Sequence, residues 1–598
     1  MEHSAEATFS TSRDRAAKSW SAIIGGNSIA VFLAWLVCVV IVMLTGLILW
    51  MSFSTGLPFE SSFSLANYAE VFGSGQFWEV VLNTVWVGLG TVGIAIFFGI
   101  PLAWLLNRTD IPMRSLFITM LAITVIMPGL VKAMGWIMLL SPQVGMINRL
   151  LMGLFQLKEA PFDINSLWGI AFVQGLMLTP SMFFLISGPM RSLDSSLEEA
   201  AEVVGANRLK TIIWITSPML WPAILGGIIY IFMTAIAMFE VAGLLGGLSE
   251  NRILATELFL AVQPFEGSSE IKYGVAGVYG LLIMAPSLLA LFFYFQSLKQ
   301  AHRYAVITGK GYKPKDFPLG TLRYPAIAFV LFYLALAVFL PFAVLLWASF
   351  LPSLRMPSVE ALSLVSLQWY KEIHHLIGGW DVMKNTLLLV VGSSTLVLLF
   401  SFMVSWVVVR TKLRSRRIVD TIAMLPHAIP GIGFAFALLI AGIMAAKWFP
   451  ALPFYNTVWI IIVGNVLNRL SYATRITNAA LIQVQQELED AAMICGARKW
   501  VSMWRVMVPL IRPSLVFAGL WTALLVFREV SMALLLIGPK NKVLATQLWI
   551  LWRQGNLSQA AALSIVLIII TGLLILLVQR ATGRVGEART LPQLGGTG

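Results

Sequence analysis

Apolar runs of membrane-spanning length recur along nearly the whole chain, broken by short segments rich in Gly, Pro and charge. An α-helix needs about 20 apolar residues to cross a hydrocarbon core ~30 Å thick. Read on that ruler, the first half of the chain predicts spans near 29–53, 79–106, 116–140, 167–188, 217–246 and 273–296. The second half predicts them near 324–350, 385–409, 419–445, 456–474, 510–537 and 557–579. The expected fold class is therefore an all-α polytopic membrane protein of about 12 transmembrane helices. The first run, Ile29 to Phe53, is longer than the apolar region of a secretory signal and lacks a small-residue cleavage site, so it is expected to stay as a span.

Composition agrees with the pattern. Hydrophobic residues make up 58% of the chain and charged ones 12%, which leaves no soluble domain of useful size. The two cysteines, Cys38 and Cys495, are too few for a disulfide framework or a cysteine metal site.

The net charge of +13 raises the question of nucleic acid, and its distribution answers it. With an even number of spans both termini lie on one side, and the segments facing that side hold 28 of the 41 Lys and Arg. Opposite loops hold 11, and two, Lys132 and Arg528, fall within predicted spans. Cytoplasmic loops carry the cationic excess, so the richer side is expected to be the cytoplasm and the charge reports topology. No nucleic-acid partner is expected.

The two halves repeat. A shift of 302 residues aligns Asn83-Thr84 with Asn385-Thr386, Trp104 with Trp406, Arg108-Thr109 with Arg410-Thr411, Arg114 with Arg416 and Pro128-Gly129 with Pro430-Gly431. Beyond the third span a shift of 291 aligns Leu197-Glu198 with Leu488-Glu489, Ala200-Ala201 with Ala491-Ala492, Gly205-Ala206 with Gly496-Ala497 and Pro218 with Pro509. Each half has six spans, so the repeats run in the same orientation and a pathway is expected between them. The expected division is a cytoplasmic N-terminal tail over 1–23, a first domain over 24–298, a cytoplasmic linker over 299–322, a second domain over 323–580 and a cytoplasmic tail over 581–598.

The loops between the fourth and fifth spans of each half, about 190–218 and 475–509, read LEEAAEVVGANRLKTIIWITSP from Leu197 and LEDAAMICGARKWVSMWRVMVP from Leu488. Leu197, Ala200, Ala201 and Val204 lie at helical spacing, as do Leu488, Ala491, Ala492 and Cys495. Each set predicts a short amphipathic helix with a narrow small-residue face. Ser196 and Glu199 have capping-box spacing, and Gly205 or Gly496 stands where the helix should stop and turn. Alanine pairs allow the close approach that a helix seated in another protein's groove requires.

The pattern of these loops resembles the EAA signature of ABC-importer permeases. The first copy carries it at Glu199, Ala200, Ala201, Gly205, Ile215 and Pro218, with Ser217 in place of the usual Leu. The second carries it at Ala491, Ala492, Gly496, Val506, Val508 and Pro509, with Asp490 in place of Glu. The resemblance covers both halves and implies the type I ABC importer fold, a five-helix core plus one additional first span in each. It also implies that the two loops dock into two copies of a cytoplasmic ABC ATPase subunit, whose closure on ATP switches the permease between inward-open and outward-open states. The implied ATPase-coupling residues are Glu199, Ala200, Ala201 and Gly205, with Asp490, Ala491, Ala492 and Gly496. The chain has no Walker A pattern, since Gly309-Lys310 lacks both the upstream Gly and the following Ser or Thr. No enzymatic activity, cofactor or metal is therefore expected here, and ATP with Mg belongs to the partner subunits.

Segment 527–549, FREVSMALLLIGPKNKVLATQLW, resembles the Arg-Glu-Leu segment of fused two-domain permeases of ferric-iron type, a group whose relatives import polyamines, phosphonates or sugar phosphates. That resemblance implies an external or periplasmic solute-binding protein as a further partner, and the bacterial inner membrane as location. The solute implied is ferric iron or a small anionic phosphorylated or phosphonate compound, with a polyamine as the alternative. Lys132, Glu240, Arg528 and Glu529 fall in predicted spans, where ionisable residues face a bundle interior or water. Glu240-Val241 and Glu529-Val530 occupy similar places in the halves, so these charges are expected at the interface, either as an ion-pair network or along the pathway. Their signs balance and do not choose a solute. His374-His375 lacks carboxylate or Cys companions and makes a weak metal site. A secondary transporter of twelve spans would share the parallel halves, but the loops RTDIPMR and RTKLRSRR lack the Gly, Asp and Arg pattern expected there.

Overall fold

The structure is a computed structural model, and it describes residues 28–56, 62–125, 127–192, 203–205, 208–246, 251–263, 270–301, 317–427, 429–451 and 454–587. Twelve helical stretches stand where the apolar pattern places them. Among the described residues nine helices are long and apolar enough to cross a membrane, from Ser28–Ser52 to Leu557–Val578. A tenth stretch is the bent pair Arg114–Thr124 and Gly129–Leu140. Helix Tyr273–Ala301 has a shorter apolar part, and helix Val458–Gln483 interrupts its apolar run with Asn465, Asn468, Arg469 and Arg475.

Several spans differ from the continuous helices that hydropathy predicts. The third turns by 94° between Thr124 and Gly129. The ninth is built from Arg416–Met424, a 3-10 turn over Leu425–His427 and Gly431–Trp448. The fifth stops at Ala237 and restarts as Phe239–Leu245, and the eleventh stops at Phe527 before the short helix Ser531–Leu535. Hydropathy averages over a window and does not register a break of two or three residues inside an apolar run.

Proline explains the irregular turns. The π-helical segments Ile212–Thr216, Ala335–Phe339 and Met503–Met507 each end two residues before a proline, at Pro218, Pro341 and Pro509. A proline ring clashes with the carbonyl four residues earlier and supplies no N–H for it, and a wider turn relieves both effects.

Each first span packs on the other half as well as on its own. Ala30, Ala34 and Cys38, four residues apart on one face of Ser28–Ser52, sit in a buried cluster with Trp406, Val407, Val419 and Ala423 of the second half. Small residues at such spacing let two helix backbones approach where lipid offers no hydrophobic drive, while Phe32, Val39 and Met43 on the opposite side are left exposed. The seventh span returns the exchange. Its buried Tyr333 packs its ring at a tilt against Phe98, centroids 5.3 Å apart, and donates its hydroxyl to Leu176 O at 3.1 Å. Leu176 lies four residues before Pro180, so Tyr333 satisfies a carbonyl that the proline leaves without its helical donor.

The end of the linker is clasped to the first half. Phe317 N donates to Arg108 O at 2.8 Å, and Asp110 accepts from Leu319 N at 2.8 Å and from Arg323 at 3.0 Å. The backbone bond and the arginine hold the Asp110 carboxyl below the usual carboxylate range.

Candidate functional site

Two regions carry the residues singled out by sequence, the coupling loops and the charges between the halves. In the second loop the helix spans Glu487–Ile494 and ends at Cys495. Gly496 follows at φ +85°, donating to Met493 O at 3.0 Å, and Ala497 N donates to Ala492 O at 3.0 Å. These are the two bonds of a Schellman stop, which needs a left-handed residue at the turn. Gly205 has the same φ of +85°. Glu199, Ala200 and Ala201, with the capping residue Ser196, lie outside the described residues.

The helix is anchored from one side only. Arg410, at the end of the eighth span, donates to Leu481 O at 2.9 Å and Val484 O at 2.7 Å, closing the carbonyl end of the tenth span just before the loop. Glu489 is buried on this side, and burial pushes its carboxyl up against the opposing pull of Arg410 and Lys499. The other side is bare. Asp490 and Ala491 are exposed, Ala492 is half-buried, and Ile494 is 87% exposed. In the first loop Val203, the repeat partner of Ile494, is 88% exposed. Apolar side chains this open at matching points of a repeat form two surfaces of one design.

The four intramembrane charges sit at helix breaks. Lys132, in the first turn after the break of the third span, reaches back and donates to Thr124 O at 2.8 Å. Arg528, at the carbonyl end of Val508–Phe527, crosses to the first half and donates to Val125 O at 2.7 Å. The two cations thus satisfy carbonyls that the 94° turn releases, which lipid could not do. Glu240 is in the first turn of Phe239–Leu245 and is buried. Its Oε1 lies against Gly129, at the start of Gly129–Leu140, so closely that a side-chain carbon there would collide with it. A carboxylate at a helix start is favoured by the helix dipole.

The expected network of Arg528, Glu529 and Glu240 is wired differently. Glu529 pairs with Arg469 at 2.6 Å and accepts from Met532 N at 3.3 Å. Arg528 goes to a backbone carbonyl, and Glu240 closes no ion pair among the described residues. The predicted span 456–474 contains Arg469, but the charge count places it with the cytoplasmic loop that follows and so leaves it out of the intramembrane charges; it lies inside helix Val458–Gln483. The cluster therefore holds three cations, Lys132, Arg469 and Arg528, against two carboxylates. Arg469 Nε is buried with no acceptor among the described residues.

A framework of matched bonds surrounds this cluster. Thr84 Oγ1 accepts from Leu254 N at 2.9 Å, and Thr386 Oγ1 accepts from Leu544 N at 2.9 Å. Asn83 donates to Arg252 O at 3.2 Å, and Asn385 to Lys540 O at 3.0 Å. The repeated Asn-Thr pair is thus a clamp joining the second span of each half to the short helix before its last span. Across the halves, Gln263 donates to Leu534 O at 3.1 Å and Leu535 O at 3.2 Å. His374 packs its ring near Trp380 at 5.4 Å. Among the described residues no group of three metal-ligating side chains forms.

Residues 381–587 match the family model described as the binding-protein-dependent transport system inner membrane component. The chain is 26% identical over 526 residues to the ferric transport system permease protein FbpB of Actinobacillus pleuropneumoniae, covering 86% of this chain and 73% of that one. It is 27% identical over 268 residues to the spermidine/putrescine transport system permease protein PotB of Haemophilus influenzae, covering 43% of this chain and 90% of that one. Among solved structures, a bacterial ABC transporter involved in import of the acidic polysaccharide alginate aligns at 19% identity and TM-score 0.36, over 44% of this chain and 96% of that one.

Proposed function

We propose that this chain, a permease of the binding-protein-dependent ABC importers, moves ferric iron or a small anionic solute along a path between its two halves. The observation that carries the reading is the cluster of buried Lys132 and Glu240 with half-buried Arg469, Arg528 and Glu529, where one more cation than carboxylate meets near the breaks of three spans. Arg469 Nε–H adds a buried donor with no acceptor among the described residues, which suits an anion or an anion-coordinated ferric ion. Similarity to the ferric permease over both halves supports the iron reading.

In this proposal the coupling residues are Glu199, Ala200, Ala201 and Gly205 in the first loop and Asp490, Ala491, Ala492 and Gly496 in the second. They seat in two copies of a cytoplasmic ATPase that binds ATP and Mg. Both termini and the linker face the cytoplasm, and a binding protein delivers solute from the other side. Closure of the ATPases pulls the loops together, and the spans to which they connect, softened by π turns at Ile212–Thr216 and Met503–Met507, transmit the movement.

Proteoliposomes holding the chain, the ATPase subunits and a ferric-loaded binding protein test this. The expected result is uptake of labelled iron that requires ATP and survives collapse of the proton gradient. Uptake without the ATPase would overturn the importer mechanism. Similarity to PotB and the two carboxylates favour a polyamine as second reading, and uptake of labelled spermidine with no iron uptake would replace the first by it.

A further inference from the structure

The connection between the eighth and ninth spans is asymmetric with its repeat partner. In the second half, Lys412, Leu413, Arg414, Arg416 and Arg417 line an open cavity of about 350 Å3. At the matching positions of the first half, 302 residues earlier, Asp110, Pro112 and Ser115 stand where Lys412, Arg414 and Arg417 stand here. Asp110 is committed to the linker through Leu319 and Arg323. The positive-inside bias acts on both halves alike, so it does not account for four cations in one copy and one, Arg114, in the other.

The cations are uncompensated. All four side chains are exposed, and Arg416 spends its one bond on Thr411 O at 3.2 Å. Lys412, Arg414 and Arg417 have no acceptor among the described residues. The one carboxylate on helix Arg416–Met424, Asp420, is held by Arg475 at 2.8 Å. Four like charges within six residues repel one another, and Arg416 and Arg417 also begin a helix, where the dipole disfavours cations. A polyanionic group in the cavity removes both costs.

The surroundings point to a lipid. The cavity lies at the end of the spanning helix Trp380–Arg410, and the next helix exposes Ile418 to 53% beside Arg417. A cationic concavity with an apolar flank, placed where a span leaves the bilayer, matches a phospholipid's phosphate and the start of its chains. We propose that Lys412, Arg414, Arg416 and Arg417 form a binding site for the phosphate headgroup of an anionic phospholipid on the side of the coupling loops. Bound there, the lipid holds the eighth span, and through Arg410 the start of the second coupling loop, in place.

The full chain in neutral detergent, titrated with phosphatidylglycerol or phosphatidylcholine and read by native mass spectrometry, tests this. The wild type should retain phosphatidylglycerol in preference to phosphatidylcholine, and Lys412→Gln, Arg414→Gln and Arg417→Gln together should weaken retention roughly a hundredfold. Lys371→Gln with Lys540→Gln, on other loops, should leave it unchanged, and matched melting temperatures show that each variant is folded. Equal retention of the two lipids, or unchanged retention in the triple variant, would overturn the site. Displacement of phosphatidylglycerol by millimolar inorganic phosphate would overturn the lipid as its occupant. None of these outcomes depends on which solute the permease carries.

Discussion

The two halves share their framework and differ in their charges. Thr84 and Thr386 make the same 2.9 Å bond, Gly205 and Gly496 have the same φ, and Val203 and Ile494 expose the same apolar spot. At the interface the matching stops. Arg469 stands opposite Leu178 and Lys132 opposite Phe434 in the repeat, and a shift of 289, which aligns Glu240 with Glu529, sets Arg528 opposite Phe239. Of these charges Glu240 and Glu529 keep one another's identity, and even they differ in partners, since Glu529 is paired and Glu240 has no ion-pair partner among the described residues. In the proposed function, symmetry persists where two equal subunits are to be engaged and is lost where one solute passes.

Substitutions can break this comparison at graded cost. The largest effect is expected at the half-buried ion pair. Arg469→Leu or Glu529→Leu alone strands a charge and should cost about 2–3 kcal/mol, while the double change should restore most of it. Melting in detergent across the four-member cycle checks this, and additive losses would mean that the pair is not coupled. Next come the loop stops. Gly496→Asp and Gly205→Asp place a side chain at positive φ, at about 1–2 kcal/mol each, and each should reduce ATPase recovery in a pull-down to a similar degree. A loss confined to one loop would show that the docking sites are unequal, as Glu199 against Asp490 and Ser217 against Val508 already hint.

The matched clamps should give smaller and equal losses. Thr84→Val and Thr386→Val each remove one acceptor for a helix-start N–H, worth about 1 kcal/mol, and unequal melting shifts would break the framework's symmetry. The smallest effect belongs to Glu489. Burial raises its pKa, so the folded loop binds more protons than the unfolded chain and loses stability as pH rises from about 4.3 through the raised value. Glu489→Gln should abolish that decline in loop protection, measured by hydrogen exchange at several pH values.

The spans, the repeat and the coupling loops were legible because each is a local or periodic feature of the chain. Twelve apolar stretches, a shift of 302 and then 291, and a Gly at each loop's turn need no knowledge of packing. The exchange of first spans was not legible, since Ala30, Ala34 and Cys38 mark a close contact without naming its partner. The breaks near Thr124, Met238 and Arg528 escaped because apolar residues continue through them. Arg469 escaped because it sits near the end of the predicted span 456–474, among polar neighbours, and the charge count gives it to the loop beyond. The π turns could have been read from Pro218, Pro341 and Pro509, had spacing from proline been weighed beside hydropathy.

The division of labour between matched loops and unmatched charges is tested most directly by Glu240→Gln in proteoliposomes, with solute uptake and ATP hydrolysis measured on the same vesicles. Uptake should fall at least about tenfold while hydrolysis and ATPase binding persist, because the change alters a pathway charge and leaves both coupling loops whole. Unchanged uptake, or loss of hydrolysis in step with uptake, would contradict the account.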